Sequence, residues 1–556
     1  MKTFAIKRKL IVCIGMAALL GACKKEFLEK PPTDTVVDAG FYKTDEQVLA
    51  GTSLLYSKVW FDYNDKAAFN LGDFRAGAVS SAWNYQDNVL FNTTGNTVDN
   101  GAAWRSFFIV VAQSNMTIHN INTYAGPAVS EAVKKQAIAE ARFMRATAYR
   151  FLVMNWGPVP VIESNLEVMN DTSLVRNTVP SVWRFITREY RAAAEDLPAT
   201  ATAPGRLTRW SAEGMLARTY LTRAGVEGAG ALGRKEEFLD SAKYFADRVI
   251  TQSGARLLSD YASLFLYPYD NNSESLFELQ WVYAPGQWGT QNSMPAYLAY
   301  SSDITNGDGW GGDVSATFWM LSQYEGFQMK GSDTLTGRTV DQRLKATFML
   351  PGAYYPEITQ SIPNGEQKLV YPYTKGDYNF VAVKKYITGK AKDVGGQSAS
   401  QYYGHDTYML RLAEMYLIYA EATLGNNAET YDGKAVNYFN AVHMRAGLPR
   451  SGDSLTADMI QRERFIEFAM EGMAWYDLVN LHYYNPDKAY SILNAQDRGM
   501  FAAIPDQFPN PTSWTLVKTS WDNNRRIVAN SGNFQLPIPT PELAQAPNLS
   551  KPPVDY

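Results

Sequence analysis

The chain has 556 residues, a formal net charge of −4 and a mean hydropathy of −0.28. A long, mildly acidic chain of this kind can bury a large core and is a poor partner for nucleic acid or anionic lipid. Its two cysteines, Cys13 and Cys23, both lie near the start, so the rest of the chain has no disulfide, thiolate metal site or thiol nucleophile.

Lys2, Lys7, Arg8 and Lys9 form a basic opening, followed by an apolar stretch from Leu10 to Leu20 that is too short to cross a bilayer. Leu20-Gly21-Ala22-Cys23 then resembles the lipobox of a bacterial lipoprotein. Residues 1–22 read as a signal peptide and Cys23 as the lipidated N-terminus. Residues 23–34, with Pro31-Pro32, read as an extended tether to a single body over 35–556.

Helical spacing of apolar residues predicts helices over Thr44–Phe61, Gly101–Tyr124 and Ala128–Trp156, the last stopped by Gly157-Pro158-Val159-Pro160. Pro180 opens another, with Trp183, Ile186, Tyr190 and Ala193 on one face. Trp210–Gly225 and Lys235–Gln252 form a further pair. Tyr220-Leu221-x-x-Ala224 recurs as Tyr416-Leu417-x-x-Ala420, and Ser241-x-x-Tyr244-Phe245 as Ala435-x-x-Tyr438-Phe439. Two helices per unit with small and aromatic residues between them is the pattern of tetratricopeptide-type pairs. Helical stretches thus occupy approximately 40–253 and 405–485, separated by a Gly-, Asn-, Tyr- and Trp-rich region over approximately 254–404. Long irregular stretches of this sort are usually functional. The Pro-rich segment 486–556 reads as loop wrapping the body.

The four histidines, His119, His405, His443 and His482, have no metal-binding spacing, and no nucleophile elbow, P-loop or dinucleotide fingerprint occurs. Asp303-Ile304-Thr305-Asn306-Gly307-Asp308-Gly309 is rich in oxygen donors but fails the calcium-loop template and reads as an exposed turn. Neither a metal nor a cofactor is expected. Glu463, Glu467 and Glu471 recur at i+4 beside Arg462 and Arg464, and are expected to form a packed salt-bridge network rather than an acid/base pair. Glu140 with Arg142 and Arg145, and Arg411 with Glu414 and Glu421, receive the same reading, and Trp104 and Asn115 are expected in the core.

Ala139-Glu140-Ala141-Arg142-Phe143-Met144-Arg145-Ala146 with the following Gly157-Pro158-Val159-Pro160 resembles the SusD/RagB family. Leu410-Arg411-Leu412-Ala413-Glu414, Arg445-Ala446-Gly447-Leu448-Pro449, Glu463-Arg464 through Trp475, and Pro537-Ile538-Pro539 match later family segments in order. His443, Ala474 and Asn480 depart from the pattern at positions that look structural. The resemblance implies a mainly α fold: a scaffold of four tetratricopeptide-like helix pairs, with a loop-rich second subregion carrying the ligand site. It implies a non-enzymatic surface lipoprotein of the outer membrane. Such a protein captures glycan, or peptide in some branches, as a lid on a SusC-like TonB-dependent transporter. A surface glycoside hydrolase using carboxylates such as Asp303, Asp308 and Asp313, and a protein-only helical scaffold, are the competing classes.

Sugar rings stack their C–H faces on flat aromatic rings, and their hydroxyls need nearby polar groups. Two regions offer both. One is Asp73-Phe74-Arg75 with Trp83-Asn84-Tyr85-Gln86-Asp87-Asn88; the other runs from Trp281 to Tyr324 and holds four of the 13 tryptophans. The expected ligand contacts are Asp73, Arg75, Trp83, Asn84, Tyr85, Asn88, Tyr283, Trp288, Asn292, Trp310 and Asp313, with Gln291 nearby. Trp281 and Trp319 are expected in the core, and Trp83, Trp288 and Trp310, set among Gly, Asn and Ser, at the surface.

Overall fold

The computed structural model describes residues 38–168, 171, 173–228, 233–372, 380–499, 501–519 and 525–556. The signal segment, Cys23 and the tether lie outside the described residues. Among the described residues, nine longer helices carry the fold: α1 (Val98–Tyr124), α2 (Glu131–Trp156), α3 (Val179–Asp196), α4 (Arg209–Val226), α5 (Glu236–Gln252), α6 (Leu412–Leu424), α7 (Gly433–Arg445), α8 (Ala457–Glu467) and α9 (Ala474–Tyr484). Short polar side chains start several of them. Ser130, Thr178 and Asp432 each accept a backbone N–H from the first turn, and Thr208 forms a reciprocal cap with Ser211. α2 ends at Gly157, whose φ of 67° suits glycine, and Pro158 blocks its continuation.

Each helix from α2 to α5 packs on the one before it, and α6 packs on α5 across the intervening segment. Both repeated helix pairs meet through aromatic rings, though at non-equivalent positions: Tyr220 stacks on Phe245 between α4 and α5, and Tyr416 meets Tyr438 edge-on between α6 and α7. Beneath the row, Trp60, Phe107, Phe151 and Tyr476 pack ring to ring, with Phe107 and Phe151 stacked at 5.1 Å. Trp104 is buried as expected, and Asn115 is buried accepting from Arg145 Nη1 at 2.7 Å.

The predicted helix over Thr44–Phe61 is not continuous. Only Asp45–Gly51 is α-helical; tight turns follow at Ser53–Tyr56 and Lys58–Trp60, and wide turns at Tyr63–Ala67 and Asn70–Phe74. The last of these turns, Asn70–Phe74, is closely packed: Gly72 lies so near Gly472 that a Cβ would fall 2.4 Å from its Cα.

The strands are short and mostly non-local: β1 (Val79–Ser80), β2 (Ser275–Leu279), β3 (Ser315–Ala316), β4 (Phe327–Lys330), β5 (Thr334–Gly337), β6 (Phe348–Met349), β7 (Tyr354–Ile362), β8 (Gly365–Val370), β9 (Ala382–Val383), β10 (Thr407–Arg411), β11 (Phe501–Pro505) and β12 (Trp514–Lys518). One sheet has the order β1-β3-β9-β6 and another β11-β12-β5-β4. The second corrects the reading of 486–556 as wrapping loop. Pro486–Asn494 is a helix, and β11 and β12 complete a sheet begun in the middle region.

The ion pairs form, but not with the partners that are neighbours in sequence. Glu463 meets Arg343 at 2.5 Å and His443 at 2.9 Å; Glu467 meets Arg411, Arg445 and Arg343; Glu471, past the end of α8, meets Arg411 and Lys385. Glu140 pairs with Arg206, Arg145 with Glu189, Glu414 with Arg218 and Arg464, and Glu421 with Arg234. Arg462 instead donates to the Gln323 carbonyl. Residues one or two apart on a helix do not face each other, so each charge finds its partner on another element.

Candidate functional site: an aromatic surface across two loops

β1 and β3 pair antiparallel, with Ser80 opposite Ser315. The chain leaving β1 therefore emerges beside the chain entering β3, and the 81–85 loop meets the 310–314 loop. A clasp holds them together. The half-buried Asp313 carboxylate accepts Ser81 Oγ–H at 2.9 Å and Ala82 N–H at 2.5 Å, while Ser81 Oγ accepts the N–H groups of Trp83 and Asn84 at 3.2 and 2.9 Å. Trp83 projects from this clasp 82 % exposed, and Asn84 is also exposed. On the facing loop Trp310 is 48 % exposed and packs edge-on against Tyr297 at 5.3 Å. Lys66 Nζ lies 5.0 Å from the Tyr297 ring centroid, over its face. Tyr85 adopts a left-handed backbone, φ 59°, and lies half-buried against Phe69 and Phe74.

Trp288 forms a second exposed aromatic group. It is 50 % exposed and meets Phe61 at 5.4 Å and Tyr402 at 5.8 Å, both edge-on. Phe61 lies two residues before the wide turn Tyr63–Ala67, which holds Lys66, so this stretch of chain links the Trp288 and Tyr297 groups. Within it Asp65 accepts Ser293 Oγ–H, and burial raises its carboxyl above the ordinary aspartate value. Tyr283 is half-buried against Gly404.

Four of the expected contacts point inward. Asp73 is buried and accepts Met470 N–H at 2.9 Å and Gly472 N–H at 3.0 Å; burial pushes its carboxyl up to about 7. Arg75 is buried between the rings of Phe91 and Trp475 and donates to Asn88 Oδ1 and the Asn533 carbonyl; burial lowers it to about 9. Asn88 is thereby buried too, donating to Asn70. Asn292 is buried among Asn64, Met294 and the His405 carbonyl. These four hold the loops from beneath, where no ligand reaches, and Gln291, also fully buried, accepts Gly289 N–H. Trp281 is buried as expected, whereas Trp319 is only half-buried, against Phe465. Sequence reasoning missed Tyr297, Tyr402 and Lys66. Tyr297 follows Pro295 in a five-residue helix, and nothing in its local pattern marks it as facing Trp310.

The hydrolase candidates do not converge. Asp303 is exposed, Asp308 is fully buried accepting Tyr403 O–H at 2.7 Å and Gln401 N–H at 2.6 Å, and Asp313 is engaged in the clasp. The Asp303–Gly309 segment is thus not wholly an exposed turn, because Asp308 anchors it inward. A cleft of about 530 Å³ beside Trp104 and Leu549, and another of about 520 Å³ beside Trp210 and Glu278, share no residue with the aromatic surface. No described helix is long and apolar enough to cross a membrane.

Comparison with known proteins agrees with this architecture. Residues 273–554 match the model described as "SusD family", and residues 27–221 match one described as "Starch-binding associating with outer membrane". A SusD-like protein of Bacteroides ovatus is 36% identical over 564 residues, covering 99% of this chain and 98% of the relative. The starch-binding protein SusD of Bacteroides thetaiotaomicron is 22% identical over 421 residues, covering 71% of this chain and 72% of its own. A crystal structure described as being with xylogluco-oligosaccharide superposes with a TM-score of 0.80 at 34% identity, covering 92% of this chain and 99% of that one. The chain belongs to the SusD family.

Proposed function

We propose that this protein captures an oligosaccharide on the exposed aromatic surface formed by Trp83, Tyr297, Trp310 and Trp288. The carrying observation is the clasp between Asp313 and Ser81/Ala82, which joins two exposed tryptophan loops far apart in sequence. Aromatic faces bind sugar C–H faces, while Asn84 and Lys66, both exposed, supply hydroxyl partners. A broad, shallow surface suits a chain of sugars better than a single small molecule. The xylogluco-oligosaccharide in the similar crystal structure makes a xyloglucan-type glycan the first ligand to test. Tyr283 and Asp313 border the surface; Asp313 acts by positioning Trp83.

In the cell, the lipid on Cys23 holds the protein to the outer membrane, facing outward. The protein works as a lid that delivers its glycan to a SusC-like TonB-dependent transporter, without cleaving it. Family membership and the lipobox-like start support this reading. The test is calorimetric titration with xyloglucan oligosaccharides, unrelated glycans and a peptide digest, alongside product analysis for cleavage. Saturable glycan binding without cleavage supports the proposal. Binding to peptides alone moves the protein to the peptide-capturing branch, and cleavage removes the capture reading.

A further inference from the structure

The turn over 302–310 links two parts of the aromatic surface that are distant in sequence. It ends at Trp310, whose N–H donates to the Ala296 carbonyl at 2.7 Å, and Gly311 N–H donates to the Ala299 carbonyl at 2.8 Å. Trp310 is thereby fixed against the short helix Met294–Leu298, which holds Tyr297. Gly309 lets the turn double back on itself: its φ is 107°, and a Cβ there would fall 2.5 Å from the Ser301 carbonyl oxygen. Asp308, two positions before Trp310, is fully buried, whereas Trp310 is half exposed.

The same turn also holds the chain around Tyr402. Ser398–Ala399 pairs antiparallel with Tyr402–Tyr403, so Ser400 and Gln401 make a two-residue hairpin turn. Gln401 has φ 63°, a left-handed backbone that a β-carbon disfavours. Asp308 supports it directly: one carboxylate oxygen accepts Gln401 N–H at 2.6 Å, and the other accepts Tyr403 O–H at 2.7 Å. Asn306 donates from Nδ2 to Ser398 Oγ at 3.0 Å, and its Oδ1 accepts Ala391 N–H at 2.9 Å. Tyr402 stands between the two partners of Asp308 in sequence, and its ring meets Trp288 edge-on at 5.8 Å. The Trp310–Tyr297 and Trp288–Tyr402 groups are thus tied through one buried carboxylate. Such a carboxylate is costly unless donors serve its oxygens, so both bonds hold the hairpin firmly.

We infer that Asp308 is a positioning residue that holds these two aromatic groups as one continuous strip, and that the ligand is a glycan chain long enough to lie across both. The assignment rests on the glycan-capture reading of that surface. Asp308 itself meets no ligand, because it is fully buried. Two stacking sites at a fixed spacing act on one chain as linked sites, so binding tightens once a chain reaches both. Loosening the hairpin leaves each group able to stack but removes that gain.

Calorimetric titration with xyloglucan oligosaccharides, from two sugars to three repeat units, tests the assignment. Wild-type affinity should rise about tenfold or more from the shortest oligosaccharide that binds to the longest. Asp308→Ala should lose that gain, while its affinity for the shortest changes less than about twofold. Asp308→Asn should restore the gain, since its Oδ1 can accept Gln401 N–H and its Nδ2 can donate to the Tyr403 hydroxyl. Tyr403→Phe removes one bond and no charge; it should lose part of the gain, and it serves if Asp308→Ala folds poorly. A second readout needs no ligand. In protein labelled with 5-fluorotryptophan, the Trp288 resonance, assigned with Trp288→Phe, should shift in Asp308→Ala and stay in place in Asp308→Asn. Wild type that binds no oligosaccharide would end the capture reading and this assignment with it. Wild-type binding that does not tighten with length, or a gain that folded Asp308→Ala or Tyr403→Phe keeps in full, would overturn the assignment alone.

Discussion

Trp83 and Trp310 reach solvent from loops whose polar groups are occupied within the protein, so each ring can be removed with little structural consequence. Trp310→Ala and Trp83→Ala should each weaken glycan binding about tenfold, the loss of a stacking contact worth about 1–1.5 kcal/mol, with Tm within about 1 °C of wild type. Titration and thermal melts of the same samples check both halves. Asp73 should behave in the opposite way. Asp73→Ala leaves the Met470 and Gly472 N–H groups buried without acceptors and should cost about 1–3 kcal/mol in denaturant melts. Its titration has a definite sign. The folded carboxyl holds its proton to about 7, against an ordinary value of 3.8. Between those values the folded state binds the extra proton, so stability falls as pH rises from about 4 to about 7 and levels off above. Asp73→Asn should flatten that part of the pH profile, and an unchanged slope between pH 5 and 7.5 would count against the assignment.

Among the elements, the β1–β3 pair and its clasp decide where the tryptophans stand. Asp313→Ala removes the acceptor for Ser81 and Ala82 and frees the Trp83 loop. Glycan affinity should fall about as far as in Trp83→Ala although the ring remains, and the two losses should not add, because one acts through the other. The end of α8 makes a different case. Glu467 stands among Arg343, Arg411 and Arg445, which hold its carboxyl down to about 2 despite burial. Its folded value lies below its unfolded one, so the stabilisation is present above about 4.5 and is lost as pH falls toward 2. Glu467→Gln should cost about 3–5 kcal/mol, since it leaves buried guanidinium groups short of their counter-charge. Much of this level was readable in the sequence. The 3.6-residue period, the caps and Gly157-Pro158 mark α1 to α5 to within a few residues. The turns at Ser53–Tyr56 and Lys58–Trp60 that break the expected helix over Thr44–Phe61 are not marked by its apolar spacing, which runs through them.

At the scale of the whole molecule, the middle region is tied to the helical scaffold through its charges. Arg343, Lys385 and Glu274 from that region meet Glu463, Glu467, Glu471, Arg411 and Arg445 from the second helical half. Scanning calorimetry should therefore show one main transition rather than separate melting of helices and loops, and two resolved transitions would contradict this coupling. The same long-range pairing explains what sequence could reveal of the site. Composition singled out Trp83, Trp288 and Trp310, because large rings among Gly, Asn and Ser have little to pack against. It also selected Asp73, Arg75, Asn88 and Asn292, because a polar residue near an exposed ring looks alike whether it faces solvent or a buried backbone amide. Only the fold separates the two. The central claim, that loops from distant parts of the chain form one sugar-binding surface, is tested most directly by a crystal structure of the protein with a xyloglucan oligosaccharide. The account predicts sugar rings lying on Trp83 and Trp310 with the Asp313–Ser81 clasp intact; sugar seated instead in the cleft beside Trp210, with both tryptophans bare, would contradict it.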